Sequence, residues 1–161
     1  MYSDAFINKT KNLFEKLHAR KWRVSCAESC TGGLIAGLLT EIPGSSHFFG
    51  RSFVTYSNRS KFDLLGVPKK LLIDHGAVSE EVACAMAQNV LNITTASLTI
   101  AVSGIAGPGG LPDKPVGTVH MATATEDGVV HVKQSFGDLG RTNVRLATVE
   151  AAIDMLTDRA S

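Results

Sequence analysis

The sequence predicts a layered α/β domain, with helices covering both faces of a mixed sheet. Helical segments alternate with short apolar segments along the 161 residues. Two long apolar segments near the carboxyl end follow each other around a glycine turn, which is typical of antiparallel strands in an otherwise parallel arrangement. Apolar residues make up 44% of the chain, enough for the core of one domain, which we place at residues 1–161.

The first half of the chain contains two helices and two strands that the pattern predicts, followed by a brief third helix. They are helix 4–19, strand 22–27, a helix that Thr31 opens and that Pro43-Gly44 ends, strand 53–56 and helix 58–65. Helix 4–19 carries apolar residues at helical spacing, and strand 22–27 alternates before a turn. Gly32 and Gly33 fall in the first turn of the second helix.

The second half begins with a helix after Ser79, which is a good N-cap followed by Glu80 and Glu81 in the first turn. Strand 97–103, a glycine-rich loop at 104–110, paired strands 116–125 and 129–136, and helix 141–157 complete the prediction. Alternation of helices and strands on this scale predicts an α/β layer architecture.

Composition excludes several classes of function. The 16 basic and 15 acidic side chains leave a net charge of +1, so no general field favours nucleic acid or an anionic membrane as partner. Three cysteines without Cys-x-x-Cys spacing indicate free thiols in a reducing compartment. No secretory signal and no apolar run of about 18 residues is seen, so we expect a soluble cytoplasmic protein.

The most informative segment ends a strand at Ser29 and opens a glycine-rich helix start. This topology presents a nucleophile, since the turn pushes the hydroxyl out of the sheet. The N–H groups of the first helical turn face the same space and can bind an oxyanion or a phosphate. The backbone predicted to bind substrate is that of Cys30, Thr31, Gly32 and Gly33. The alternative is that Ser29 only caps the helix.

A serine nucleophile needs a base, and Lys61 is the candidate. None of the five histidines lies in a suitable motif, and His120 and His131 on the hairpin lack a third ligand, so we expect no metal and no cofactor. Lys61 follows a strand-to-helix turn after Tyr56, at the edge where open α/β sheets bind ligands. Lowering a lysine pKa by about 3 units costs about 4 kcal/mol, which Arg59 or a buried wall would supply. The alternative is a solvated surface lysine.

The third candidate element is the loop that Ser103 heads, containing Gly104 and Gly107. Such a backbone can cradle a phosphate or lie against a flat ring. It does not match a nucleoside-triphosphatase P-loop. Arg141 and Arg145 at the start of the last helix are candidate phosphate clamps, although helix-surface arginines are usually solvent-facing.

Taken together, seven blocks of the sequence resemble the C-terminal domain of CinA, the competence/damage-inducible protein family. The blocks are Ala27–Gly33, Ile42–Ser46, Phe53–Asn58, Leu64–Val67, His75–Glu80, Ser103–Pro108 and Lys114–Gly117. The resemblance implies a three-layer α/β/α sandwich, often dimeric. Stand-alone members similar to this chain are nicotinamide-nucleotide amidohydrolases of the PncC type, which convert nicotinamide mononucleotide to nicotinate mononucleotide and ammonia in NAD recycling.

The resemblance also implies roles for individual residues. Ser29 matches the serine nucleophile, Lys61 the lysine base and Tyr56 a tyrosine that assists proton transfer. Ser103 matches a hydroxyl that touches the reacting carboxamide, while Arg141 and Arg145 would face the 5′-phosphate of a pyridine mononucleotide. One departure is the turn Arg59-Ser60, where many members carry an acidic and a small residue.

Three alternatives stay open at this point. A domain that holds a nucleotide without turning it over would keep the glycine loop and the arginines. Cys30, next to Ser29, is a rival nucleophile because thiols are more reactive than hydroxyls. A DNA-associated competence role follows only from the historical family name, and the near-neutral charge argues against it.

Overall fold

The computed structural model describes residues 2–161. In that range the helices are α1 (Asp4–Arg20), α2 (Leu34–Thr40), α3 (Asn58–Leu65), α4 (Lys69–His75), α5 (Glu80–Ile93) and α6 (Arg141–Arg159). The strands are β1 (Val24–Glu28), β2 (Phe49–Val54), β3 (Leu98–Gly104), β4 (Thr118–Thr125) and β5 (Gly128–Ser135). A short 3₁₀ turn, Ser45–His47, precedes β2. Among residues 2–161, no helix is both long and apolar enough to span a bilayer.

The five strands form one mixed sheet in the order β2-β1-β3-β4-β5. Strand β1 runs parallel to both β2 and β3, whereas β4 and β5 are antiparallel additions. At the end of β1, Glu28 aligns with Val54 of β2 and Val102 of β3. The carboxyl ends of the three parallel strands therefore meet at one edge, which is where an open α/β sheet binds its ligands.

Helices cover both faces of this sheet, which confirms the predicted three-layer α/β/α fold. One core cluster packs α1, α2 and α6 on the sheet, with Leu17, Leu38 and Ile153 as fully or almost fully buried members. The second cluster packs α3, α4 and α5 on the other face, around Met86 and Val90. The central strands β1 and β3 are buried along nearly their whole length, because they have helices on both sides.

Most predicted boundaries shift by one or two residues, and the larger differences concern α2, β2 and α4. Helix α2 begins at Leu34 rather than Thr31, because Gly32 and Gly33 take left-handed φ values of 59° and 98° and form a turn instead of helix. Strand β2 begins four residues before the predicted strand and ends at Val54. Helix α4 was not predicted, since its seven residues are too few to show a period.

Candidate active site

Ser29 lies directly after β1, at the carboxyl edge of the sheet. Its N–H still donates to the carbonyl of Val102 on β3 (3.1 Å), which continues the strand ladder by one residue. Its own carbonyl accepts from the N–H of Gly32 (3.1 Å), which closes the tight turn before α2. The side chain does not cap α2, whose N-cap is Gly33. Ser29 is instead a buried hydroxyl fixed by the sheet on one side and by the turn on the other.

Lys61 reaches Ser29 from helix α3. Its side chain is fully buried, and its Nζ donates to Ser29 Oγ (3.0 Å) and to the carbonyl of Thr55 (2.7 Å). Burial removes the water that would stabilise the ammonium, and this lowers the pKa of Lys61 from 10.5 to about 8. The two side chains that the sequence paired are therefore in hydrogen-bond contact, as a general base and a nucleophile require.

The turn that delivers Lys61 is held by a capping box. Ser57 Oγ accepts from the N–H of Ser60, and Ser60 Oγ accepts from the N–H of Ser57. Arg59 is exposed and pairs with Asp63 one turn later. Burial, not Arg59, lowers the pKa of Lys61, and of the pair Arg59-Ser60 only Ser60 takes part in the helix cap.

A cavity of about 240 Å³ opens beside this pair. It is lined by Ser29, Cys30, Tyr56, Lys61, Ala77, Val78, Ser103, Gly104, Ala106 and Arg141. Ser103 is almost fully buried, and its hydroxyl donates to the carbonyl of Ala77 (2.7 Å). At Gly104 a Cβ atom would come within 2.6 Å of Val119 Cγ2, so only glycine fits there. The glycine loop thus forms one wall of the cavity, as its position after β3 predicts.

Tyr56 and Arg141 lie at the mouth of the cavity. Tyr56 is 61% exposed, and its hydroxyl accepts from Arg141 Nη2 (2.9 Å). Arg141 Nη1 donates to the carbonyl of Gly107 (2.6 Å), which fixes the guanidinium against the glycine loop. Tyr56 donates to neither Ser29 nor Lys61 in this arrangement. Its part in proton transfer stays a prediction, and the direct contact between Lys61 and Ser29 needs no relay.

Arg145 lies behind the nucleophile turn rather than in the cavity. Its Nε donates to the carbonyl of Cys30 (3.1 Å) and its Nη2 to the carbonyl of Thr31 (2.9 Å). It is not among the residues that line the cavity. Of the two arginines, Arg141 lines the cavity and Arg145 bonds to the turn. The phosphate contacts that the resemblance implies for both of them stay predictions.

Sequence reasoning missed Glu28, which is fully buried beneath the turn. Its carboxylate accepts five hydrogen bonds of 2.7–3.1 Å. The donors are Thr31 Oγ1, Ser52 Oγ and the N–H groups of Gly33, Ile35 and Ala36. A carboxylate placed just before a helix N-terminus is the signal that could have revealed this role, because the helix dipole favours an anion there.

The bonds to Glu28 correct one prediction about the first turn of α2. The N–H of Gly33 is bonded to Glu28, and that of Gly32 to the carbonyl of Ser29, so neither is free to bind a ligand. Of the four N–H groups that the sequence assigned to substrate, only those of Cys30 and Thr31 have no acceptor within residues 2–161. Both lie in the turn rather than in the helix.

Cys30 is an unfavourable nucleophile. It is 6% exposed, and burial raises the pKa of its thiol to about 11. Because the thiolate is the reactive form, a thiol with this pKa is almost entirely inert near neutral pH. The alternative in which Cys30 replaces Ser29 thus loses its chemical basis.

The hairpin histidines lie away from the cavity lining. His120 Nδ1 and His131 Nε2 are 3.0 Å apart in stacked rings, and His131 Nδ1 lies 3.4 Å from Glu80 Oε2. Burial is the main cause that lowers the pKa of His120. Within the described part of the chain, no group of three or more His, Cys, Asp or Glu residues is arranged to hold a metal ion.

Comparisons with known proteins agree with the fold. The family profile described as "CinA C-terminal domain" matches residues 7–160. The chain is 55% identical over 133 residues to the nicotinamide-nucleotide amidohydrolase PncC of Enterobacter agglomerans, covering 81% of this chain and 80% of that protein. It is 59% identical over 109 residues to a putative competence-damage inducible protein of Symbiobacterium thermophilum, covering 67% of this chain but only 26% of that longer protein.

A solved structure is similar over almost the full length. The competence/damage inducible protein CihA from Agrobacterium tumefaciens superposes with a TM-score of 0.94 at 47% identity. The match covers 97% of this chain and 96% of that one. The likeness therefore extends over almost the whole fold.

Proposed function

The chain belongs to the CinA C-terminal domain family, and from that membership we propose that it is an amidohydrolase that converts nicotinamide mononucleotide to nicotinate mononucleotide and ammonia. In this proposal Ser29 is the nucleophile, Lys61 is the general base and no metal or organic cofactor takes part. The reaction would return the pyridine ring to NAD synthesis. The similarity to a nicotinamide-nucleotide amidohydrolase over four fifths of both chains supports this substrate.

The observation that carries the proposal is the contact between Lys61 Nζ and Ser29 Oγ at 3.0 Å, inside a cavity. A pKa of about 8 leaves roughly a tenth of Lys61 uncharged at pH 7, against about 4 in 10,000 for a free lysine. A neutral amine donates one N–H to the Thr55 carbonyl and keeps a lone pair for the Ser29 proton. This is the protonation state that a base needs.

The first half of the reaction forms an acyl-enzyme. Ser29 Oγ attacks the carboxamide carbon as its proton passes to Lys61 Nζ, giving a tetrahedral oxyanion. The oxyanion collapses as the C–N bond breaks, and Lys61 returns the proton to the departing nitrogen, which leaves as ammonia. Ser29 then carries the nicotinate group as an ester, and Lys61 is neutral again.

The second half hydrolyses that ester. Water attacks the ester carbonyl while Lys61 takes one of its protons, and the new intermediate collapses to expel Ser29 Oγ. Lys61 returns the proton to Ser29, and the product leaves as a carboxylate with a proton released to solvent. One base thus serves both halves.

The oxyanion needs donors other than the helix N–H groups that Glu28 occupies. The N–H of Cys30, the residue after the nucleophile, is in the position that hydrolases with a strand-turn-helix nucleophile use. The N–H of Thr31 is the second candidate. One such donor is typically worth about 2.7–4 kcal/mol, comparable with general-base catalysis.

The cavity fits the reacting end of the substrate rather than the whole molecule. At about 240 Å³ it is slightly smaller than the roughly 300–1,000 Å³ typical of ligand pockets. The pyridine ring and carboxamide would occupy it, with the ribose and phosphate at the mouth. Arg141 uses one N–H on Gly107 and one on Tyr56, so three of its five donors remain for the phosphate.

The proposal is tested by measuring ammonia release from purified protein with nicotinamide mononucleotide, nicotinamide riboside, NAD and free nicotinamide. We expect the mononucleotide to be preferred. Ser29→Ala should abolish turnover but keep binding, because it removes only the nucleophilic oxygen. Ammonia release near the wild-type rate by Ser29→Ala would contradict the proposal, and preferential turnover of free nicotinamide would contradict the substrate assignment.

Two further expectations accompany this function. The resemblance to family members that are often dimeric leads us to propose a homodimer, which light scattering in solution would measure. The resemblance also leads us to propose that residues 1–161 act as one domain, which a single cooperative unfolding transition would support.

A further inference from the structure

The turn that carries the nucleophile is held by hydrogen bonds to charged residues on two sides, and both residues lie outside the cavity lining. Residues 29–33 connect β1 to α2, with Glu28 below them and Arg145 behind them. Neither residue lines the cavity, so neither is in position to touch the reacting carboxamide. Their bonds all go to the turn, to the helix start or to the neighbouring strand. This arrangement points to a role in holding Ser29 in place.

The Glu28 carboxylate connects three parts of the fold, namely the turn, the start of α2 and strand β2. Its Oε2 accepts from Thr31 Oγ1 (2.7 Å) and from the N–H groups of Gly33 and Ile35 (3.0 and 3.1 Å). Its Oε1 accepts from Ala36 N–H (2.9 Å) and from Ser52 Oγ on β2 (3.1 Å). Because Glu28 directly precedes Ser29, the bonds that fix this carboxylate also restrict the backbone that carries the nucleophile.

Arg145 complements Glu28, because it donates to carbonyls of the same turn whereas Glu28 accepts from N–H and hydroxyl groups. Its two bonds, to Cys30 O and Thr31 O, cross 115 and 114 residues of sequence from α6. A Cβ on Gly32 would lie 3.4 Å from Arg145 Nη2, close to ordinary contact, so the left-handed φ of 59° is what favours glycine beside the guanidinium. A planar fork that bonds two carbonyls fixes direction as well as distance.

We propose that Glu28 and Arg145 are positioning residues that hold Ser29 Oγ on Lys61 Nζ, and that Arg145 is not a phosphate ligand. The inference rests on the proposed function only in taking Ser29 as the nucleophile. It assigns phosphate recognition to Arg141, at the mouth of the cavity. It also gives a role to the protein carboxylate that occupies the N–H groups at the start of α2, since these bonds restrict the turn.

Gln is the informative replacement for Glu28, because it retains the shape of the side chain. With its amide nitrogen at the Oε1 position, the remaining oxygen still accepts from Thr31, Gly33 and Ile35. Ser52 can rotate to accept a bond, and only the Ala36 N–H then faces another donor. Glu28→Gln should therefore fold, with a loosened turn. Thr31→Val is a second variant that removes one bond and keeps the carboxylate.

Steady-state kinetics with nicotinamide mononucleotide provide the first readout. A misplacement of about 1 Å can cost about 100-fold in rate, so we expect Glu28→Gln and Arg145→Gln each to lower kcat by about tenfold or more. KM should be unchanged. The loss of kcat should be seen at temperatures well below the melting temperature of each variant, where the protein is folded. For Arg145→Gln, the exposed Arg51 on β2 provides the control, because Arg51→Gln removes the same positive charge from a residue outside the cavity lining. A wild-type kcat in Glu28→Gln and Arg145→Gln would overturn the inference.

Measuring the binding of nicotinamide mononucleotide to inactive Ser29→Ala protein distinguishes a positioning role from phosphate recognition. In Ser29→Ala protein, we expect added Arg145→Gln to leave the Kd for nicotinamide mononucleotide unchanged, and added Arg141→Gln to weaken it. Arg145→Lys should not restore kcat, because an ammonium cannot bond both carbonyls as the fork does. If Arg145→Gln weakens binding of the mononucleotide but not of nicotinamide riboside, Arg145 is a phosphate ligand and the inference fails.

The inference can fail independently of the proposed function. Wild-type protein that releases no ammonia would refute the function, and the positioning role would then be read from the pKa of Lys61 by NMR. A displaced turn admits water to Nζ, so Glu28→Gln should raise that pKa from about 8 toward 10.5. Loss of the Glu28 charge alone would act in the opposite direction. An unchanged or lowered pKa would contradict positioning.

Discussion

At the scale of single residues, the proposed chemistry depends on a lysine that is buried away from solvent. Lys61 is fully buried and bonded only to Ser29 Oγ and the Thr55 carbonyl among residues 2–161. No carboxylate lies against it to stabilise the ammonium, so desolvation dominates and its pKa falls to about 8. The same burial acts on Cys30 in the opposite sense and keeps the thiol protonated.

The lowered pKa of Lys61 predicts the pH dependence of the reaction. Below pH 8 the amine is mostly charged and cannot accept the Ser29 proton, so kcat/KM should fall about tenfold per pH unit. It should level off above about pH 8. Arg59→Gln should leave this profile unchanged, because burial and not Arg59 lowers the pKa. A profile that is flat from pH 6 to 9 would exclude Lys61 as the base.

The raised pKa of Cys30 predicts the behaviour of the rival nucleophile. Cys30→Ala keeps the backbone N–H and loses only the thiol, so ammonia release should persist. A thiol alkylating reagent should react slowly at neutral pH, since burial holds the pKa of Cys30 at about 11. Abolished turnover in Cys30→Ala, together with normal folding by circular dichroism, would reopen the thiol mechanism.

The sequence predicted the contact between the candidate nucleophile and the candidate base better than it predicted their surroundings. Ser29 and Lys61 follow from a strand-turn-helix pattern and from family blocks, and their contact was predicted. The role of Glu28 was not, because a buried carboxylate with five donors depends on Ser52 and other partners that only the folded chain brings together. Because Glu28 occupies the N–H groups at the start of α2, the proposed oxyanion donors are N–H groups of the preceding turn instead.

At the scale of elements, helix α3 delivers Lys61 to the site, and its start is fixed by the Ser57–Ser60 capping box. We expect Ser57→Ala to cost about 1 kcal/mol of unfolding free energy, the usual worth of an N-cap. The value of kcat should remain, because the Lys61 side chain is fixed independently by Thr55 and Ser29. Urea denaturation and ammonia release on the same sample would measure both effects.

The variant Ser60→Ala distinguishes the contributions of the two serines in the capping box. Ser60→Ala keeps the Ser57 hydroxyl and its bond to the Ser60 N–H, so it should destabilise less than Ser57→Ala. If Ser57→Ala lowered kcat in proportion to its loss of stability, Lys61 would depend on the cap and the element-scale account would be wrong.

Element boundaries were the least predictable part of the fold. Gly32 and Gly33 fitted a helix start by position, but their left-handed φ values place them in a turn. Strand β2 begins earlier than its apolar core indicates, because pairing with β1 extends it to Phe49. Both errors have the same cause, since backbone conformation and strand pairing are set by neighbours that a local pattern does not contain.

At the scale of the whole molecule, the buried base has a cost for stability. Below pH 8 the folded protein carries a charged Lys61 in a dry site. Between pH 8 and 10.5 the folded state has released a proton that the unfolded state retains. Stability should therefore rise with pH across this interval through the Lys61 contribution.

Lys61→Met isolates this contribution, because it removes the titrating group and keeps the volume. The difference in unfolding free energy, wild type minus Lys61→Met, should increase by about 1 kcal/mol between pH 7 and pH 9. Urea denaturation at the two pH values measures it. A difference that does not change with pH would mean that Lys61 titrates alike in the folded and unfolded states.

The layer architecture was predictable for a general reason. Alternating helices and strands can bury their apolar faces only in a few layered arrangements, and the antiparallel hairpin fixes where the parallel part of the sheet ends. The parallel strands then bring the segments after β1, β2 and β3 to one edge, which accounts for the meeting of Ser29, Tyr56 and Ser103 around one cavity.

The most direct measurement is an NMR titration of Lys61 in wild-type protein carrying ¹³C at lysine Cε, with Lys61→Met to assign the signal. We predict a pKa of about 8 for Lys61. This pKa should rise only when the contact with Ser29 is loosened. A pKa at or above the ordinary 10.5 would show that the amine is charged throughout the working range, and the base assigned to Ser29 would be lost.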